Sequence, residues 1–140
     1  YLMACTQNVT TTSTNNNINT IAGLLKRIDQ MQKDAIYTNN NAMCESCLMG
    51  SMFNTKPISI YVRGILFTAN VGLTDVTTQY FRVEEVRGND TVVLRLLVLE
   101  DGVLTCTNNT IVVGIGCICS VQCFDPINCN FANCGCMVEA

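Results

Sequence analysis

The sequence predicts a mostly β protein: an antiparallel β-sandwich or jelly-roll-like domain with one N-terminal amphipathic helix and flexible, cysteine-bearing termini. Three observations predict it. From Lys56 onward, short runs of β-branched and aromatic residues alternate with turn signals. Before them, one stretch carries apolar residues at helical spacing. At the N-terminal end lies a Thr/Asn-rich segment that cannot bury much surface, at the C-terminal end an Asn-rich tail, and both hold thiols. The expected organisation is an arm over residues 1–16, a single domain over 17–124 and a cysteine-rich tail over 125–140.

In the arm, residues 6–19 are mostly Thr, Asn and Ser, with Cys5 near the free end. About 15 extended residues reach ~50 Å, beyond the radius of a domain this size, so Cys5 has the reach to meet a neighbouring subunit. Ile18, Ile21, Leu25 and Ile28 then recur at spacings of three and four, with Ala22, Leu24 and Met31 widening the stripe and Lys26, Arg27, Asp29, Lys33 and Asp34 opposite. This predicts a helix over about 17–37, capped by an Asn among 15–17 and supported by the Asp29–Lys33 pair. The heptad spacing fails at Gln32, which favours a helix docked on its own domain over a coiled coil. Asn39, Asn40 and Asn41 read as a loop.

Strands are predicted at 58–62, 65–69, 79–87, 91–99, 103–106 and 110–123. Asp101-Gly102 is a two-residue hairpin signal and Asn89-Asp90 a second. A turn at Asn89-Asp90 sets Glu84 opposite Arg95, Val83 opposite Leu96 and Phe81 opposite Val98. Shifting it to Gly88-Asn89 sets Arg82 against Arg95, a like-charge pair that disfavours that register. The run from Val92 to Leu99 is apolar on both faces apart from Arg95, so its second face is covered either within the domain or by another subunit.

Composition restricts function. The chain has 140 residues, is 49% apolar and 14% charged, and carries a net charge of −3. Such a surface repels phosphate backbones and anionic lipid but offers little repulsion between copies, so the expected partner is the chain itself, with no nucleic acid and no membrane. No apolar run approaches the length of a transmembrane helix. Asn8, Asn89 and Asn108 open N-x-[ST] triplets, which an Asn- and Thr-rich chain generates by chance. With no histidine, Ser-His and Cys-His nucleophiles are excluded. Glu84 and Glu85 alternate across a strand and so cannot flank one substrate. Gly114-Ile115-Gly116 leads into a strand and is no phosphate loop. The expectation is a protein without catalytic residues, metal or cofactor, and so not an enzyme.

The ten cysteines carry the remaining chemistry: Cys5, Cys44, Cys47, Cys106, Cys117, Cys119, Cys123, Cys129, Cys134 and Cys136. Six of them fall in the last 24 residues. In an extended strand Cys117, Cys119 and Cys123 share a face with Ile115 and Val121, and successive same-face positions lie about 6.6 to 7 Å apart, at or beyond the disulfide limit. Cys117 and Cys119 should therefore bond across strands or to another molecule, not to each other. Past Asp125-Pro126 the chain is expected to leave the sheet, putting Cys129, Cys134 and Cys136 on a tail suited to intermolecular bonding. Cys44-Glu45-Ser46-Cys47 is a C-x-x-C; it carries the alternative reading, a small metal-binding or redox domain. The redox form needs a helix N-terminus, and the metal form a second group such as Cys134 and Cys136.

The blocks Phe81-Arg82-Val83-Glu84-Glu85-Val86, Thr91-Val92-Val93-Leu94-Arg95-Leu96-Leu97 and Cys117-Ile118-Cys119-Ser120-Val121-Gln122-Cys123, with Asn54-Thr55-Lys56-Pro57 before them, resemble the cysteine-rich spore coat and exosporium proteins of the coat protein Y and Z type. The resemblance spans about residues 44–124. It implies a structural protein of the bacterial endospore surface, made in the mother-cell cytoplasm, deposited on the spore and cross-linked by disulfides with itself and with other spore coat proteins. Cys117, Cys119 and Cys123 match the family's thiols; the Thr/Asn arm and the tail thiols lie outside its pattern. A spore surface becomes oxidising once the mother cell lyses, so cross-links can mature after placement.

Overall fold

The structure, a computed structural model, describes residues 20–49 and 53–129, with side chains over 20–36 and 53–129. A helix, α1 (Ile21–Met49), precedes eight strands: β1 (Ile58–Val62), β2 (Ile65–Leu66), β3 (Ala69–Asn70), β4 (Thr77–Thr78), β5 (Tyr80–Arg87), β6 (Thr91–Glu100), β7 (Val103–Gly114) and β8 (Ile118–Cys123). The fold is mostly β and antiparallel with one N-terminal helix, as the sequence predicts.

α1 starts at Ile21, later than the expected 17, because Thr20 and not an Asn caps it: Thr20 Oγ1 accepts from Gly23 N–H at 2.9 Å, and its carbonyl accepts from Leu24 N–H. Asn39, Asn40 and Asn41, read as a loop, lie within the helix. From Leu24 to Met49 there is no Gly or Pro to interrupt it, and Gly50 follows its last residue. The Lys33–Asp29 pair forms as expected, at 3.0 Å.

β8 pairs with β1 along one edge; β1's other edge takes β2 at its C-terminal end and β5 at its N-terminal end, and β6 and β7 follow β5. β7 and β8 thus stand at opposite ends of the strand order, yet only a 3₁₀ turn, Ile115–Cys117, joins them. The sheet must curl until its ends approach, and this curl makes the two layers of the sandwich. The core fills the curl: Ile58 and Ile60 of β1, Phe81 and Val83 of β5, Val92, Leu94 and Leu96 of β6, Val113, Ile115 and Ile118, closed by Leu25 and Ile28 of α1.

Two register findings correct the sequence reading. The β5–β6 loop has three residues, Gly88, Asn89 and Asp90, since Arg87 pairs with Thr91; Gly88 supplies the positive φ of 61°. The ladder then shifts at Glu84, so Arg82 faces Arg95, Phe81 faces Leu96 and Val83 faces Leu94. The like-charge facing that disfavoured this register is neutralised, because a β-bulge leaves Glu84 unpaired and free to bridge both arginines. The span 110–123 is also not one strand. The 3₁₀ turn breaks the alternation, burying Ile115 and Ile118 and removing Cys117 from the face expected to hold Cys119 and Cys123. The Asp101-Gly102 hairpin forms as read, with both residues at positive φ and Glu100 paired to Val103.

Candidate functional site

Two features concentrate this chain's chemistry: a polar latch on the outer face of β5–β6–β7, and the thiol-bearing edge strand β8.

The latch grows from Arg82, only 5% exposed. Its guanidinium donates to Thr55 Oγ1 at 2.9 Å, to the Asn54 carbonyl at 3.1 Å and to Glu84 Oε2 at 2.7 Å. The same Glu84 oxygen accepts from Arg95 Nε at 2.7 Å, and Arg95 Nη1 donates to the Thr107 carbonyl at 2.8 Å. The Glu84–Arg95 ion pair predicted from the sequence is therefore present, by way of the bulge and not by cross-strand register. Burial disfavours the ionised Glu84 carboxyl, but the hydrogen bond from Arg95 and the charge and hydrogen bond of Arg82 outweigh it, holding the carboxyl below its ordinary value. Gln32, the residue at which the helical heptad failed, is 3% exposed and joins α1 to this group, donating to the Val83 carbonyl and accepting from Lys56 N–H.

Through Asn54 the latch holds residues 127–129. Asn54 Nδ2 donates to the Cys129 carbonyl at 3.0 Å while its Oδ1 accepts from Cys129 N–H at 2.8 Å, and Thr55 exchanges backbone hydrogen bonds with Ile127. Cys129 is then disulfide-bonded to Cys106 of β7, Cα to Cα 5.6 Å. Upstream, Phe124 packs edge-on against Tyr80 at 5.5 Å between ring centroids. Residues 124–129 therefore form a strap over the outer face. The strap covers part of the second apolar face of β6: Leu97, paired with Cys106, is fully buried yet lies outside the main core cluster, whereas Leu99 on the same face is half-exposed. This corrects the expectation for Cys129, which is no tail thiol but 5% exposed and bonded within its own chain. The alternation of residues 118–123 marks the strand, whereas residues 125–129 carry no sequence signal for the return.

β8 is different. Cys119 occupies a bulge between the pairs Tyr61–Ser120 and Val62–Ile118. Its Sγ accepts from Gly64 N–H at 3.0 Å and donates to the Tyr61 carbonyl at 3.3 Å. The Arg63–Gly64 turn presents that N–H because both residues have positive φ, 59° and 82°. Cys119 and Cys123 are exposed and in no disulfide, and Cys117 is half-buried in the 3₁₀ turn. Cys44 and Cys47 belong to the last turns of α1, where their side chains lie outside the described residues, as do Cys5, Cys134 and Cys136.

Set against protein-family models, curated proteins and solved structures, the chain matches none.

Proposed function

We propose that this protein is a self-assembling structural subunit of the bacterial endospore surface, in the coat, the exosporium or a spore-associated fibre, whose copies are locked together by intermolecular disulfides. The carrying observation is an excess of sulfur over what the fold uses. Among the described residues a curled core and one internal disulfide close the domain, while Cys119 and Cys123 stay exposed on an edge strand. An uncharged strand edge is a template for association, and disulfides fix whatever contacts it makes. The spore assignment rests on the sequence resemblance, whose blocks fall on β5, β6, the 3₁₀ turn with β8, and the Asn54–Pro57 segment of the latch.

The test is solubility. Native assemblies boiled in detergent should stay polymeric until a reductant is added, then release single chains. Quantitative release without reductant would overturn covalent linkage between subunits.

A further inference from the structure

We propose that Asn54 is a positioning residue for thiol oxidation: in the reduced chain it sets Cys129 against Cys106, so that this bond closes first and within one molecule. Both thiols are thereby withdrawn from cross-linking. The order of closure stands without the assembly reading; only its consequence for the remaining thiols rests on that reading.

Three observations carry it. First, Cys129 is held by its backbone as well as by its sulfur. The Asn54 side-chain amide donates to the Cys129 carbonyl at 3.0 Å and accepts from the Cys129 N–H at 2.8 Å. Asn128 Oδ1 accepts from Asn54 N–H at 3.1 Å, and Thr55 and Ile127 exchange backbone hydrogen bonds at 3.0 and 2.9 Å. Second, the clamp is built from the other side of the fold. Arg82 donates to the Asn54 carbonyl and to Thr55 Oγ1, and Thr55 Oγ1 donates in turn to Asn54 Oδ1 at 2.7 Å. With that oxygen accepting from both Thr55 and the Cys129 N–H, the Asn54 amide can face only one way, its Nδ2 toward the Cys129 carbonyl. Asn54 is 6% exposed, and none of these bonds needs a disulfide. Third, the partner is fixed independently, because Cys106 sits in the β6–β7 ladder opposite Leu97. A strap docked by its hydrogen bonds puts the two Cα atoms 5.6 Å apart, inside the disulfide range.

Magnitudes decide why a clamp matters. The bond spans 23 residues, and a flexible loop of that size gives its ends an effective concentration on the order of millimolar, which a neighbour's thiol in a packed layer can match. Docking removes the loop's freedom beforehand, and by reciprocity any factor by which the clamp favours docking also favours the bond. Cys119 and Cys123, exposed and in no disulfide, remain for neighbours.

The oxidant is a small-molecule disulfide. The half-buried Cys106 thiolate attacks it, forming a mixed disulfide and releasing one small thiol. The Cys129 thiolate, held alongside, then attacks the Cys106 sulfur and releases the second. Two protein thiols are oxidised, one small disulfide is reduced to two thiols, and the two protons pass from the protein thiols to the leaving thiolates.

The experiment takes reduced full-length chain, an equal mixture of ¹⁴N and ¹⁵N protein kept dilute, oxidises it with limiting glutathione disulfide, traps it by alkylation and maps the linked peptides by mass spectrometry. The expected first product is a Cys106–Cys129 peptide pair of a single isotope. Another pair ahead of it, or mixed isotopes within it, would overturn the proposal. Hydrogen exchange on the reduced chain tests the direction of cause. The amides of Ile127 and Cys129 should be protected before any bond forms, and free exchange there would show that the bond holds the strap instead. In glutathione buffers the effective concentration of the Cys106–Cys129 pair should fall about tenfold in N54A and stay within about twofold in T20A, which loses only the helix cap. An unchanged N54A value, or an equal fall in T20A, refutes positioning by Asn54. If the bond closes first yet no interchain disulfide ever follows, the assembly reading falls and the clamp stands. If interchain links form mainly through Cys106 or Cys129, the clamp falls and the assembly reading stands.

Discussion

At the residue scale, Glu84 is where charge and backbone geometry meet. One carboxylate oxygen serves two arginines that the ladder sets face to face, and only a bulge allows it. Replacing it by Gln removes the counter-charge and leaves Arg82 buried beside Arg95. Breaking a fully buried pair costs about 3–5 kcal/mol, and since the Glu84 side chain is 22% exposed, roughly 2 kcal/mol is expected for E84Q at neutral pH. Because the folded-state pKa is depressed, this contribution is present in full above the ordinary glutamate value and is lost as pH falls through the lower folded value. Urea midpoints of wild type and E84Q measured from pH 7 downward should therefore converge in acid. A constant gap would show that Glu84 acts through packing alone. The pair itself was legible, because opposite charges eleven residues apart flank a turn signal. The register was not, since a bulge is a one-residue insertion that alternation does not encode. A polar residue at a core position of the helix, Gln32, was legible as an anomaly but not as a tether, since its partners come from β5 and from the segment ahead of β1.

At the element scale, the strap decides how β6 is buried. Removing its disulfide by C106A or C129A opens a link that spans 23 residues, and about 3 kcal/mol should be lost in guanidinium unfolding of the monomer without reductant. If the midpoint stays put, the Asn54 hydrogen bonds alone hold the strap. Truncating Leu97 to Ala, beneath the strap, should cost a further ~2–5 kcal/mol, and the two losses should be strongly non-additive because they share one packed region. Thr20→Ala tests the helix start: loss of its cap should cost about 1 kcal/mol by thermal unfolding. The strands themselves were readable from β-branched runs and from Asp101-Gly102. The strap was not, because Phe124 to Cys129 carry no periodicity and are placed by Asn54, Thr55 and Cys106, all distant in sequence.

At the scale of the whole molecule, the curl lets one sheet serve as both layers, so the core is complete within a single chain among the described residues. Kept reduced and dilute, the protein should then give a cooperative thermal transition with native far-UV circular dichroism. Its Tm should lie about 10 °C below that of the monomer with the Cys106–Cys129 bond, from the same ~3 kcal/mol. A featureless melt in reductant would mean that covalent links, not packing, define the fold. The fold class was legible because alternation and turn chemistry are local. The closure of β7 onto β8 was not, since the 3₁₀ turn reads as three more residues of strand, and only the joint burial of Ile115 and Ile118 marks it.

The Cys106–Cys129 bond also acts as a mooring. Cys134 and Cys136 follow it by five and seven residues, so a fully drawn-out chain carries them at most about 18 and 25 Å from that point. Had the leash begun at the end of β8, at Cys123, the range would be about twice as long. Any neighbour they stitch to must therefore press its own sulfur close to the outer face of β7, which narrows the packing arrangements those two positions permit.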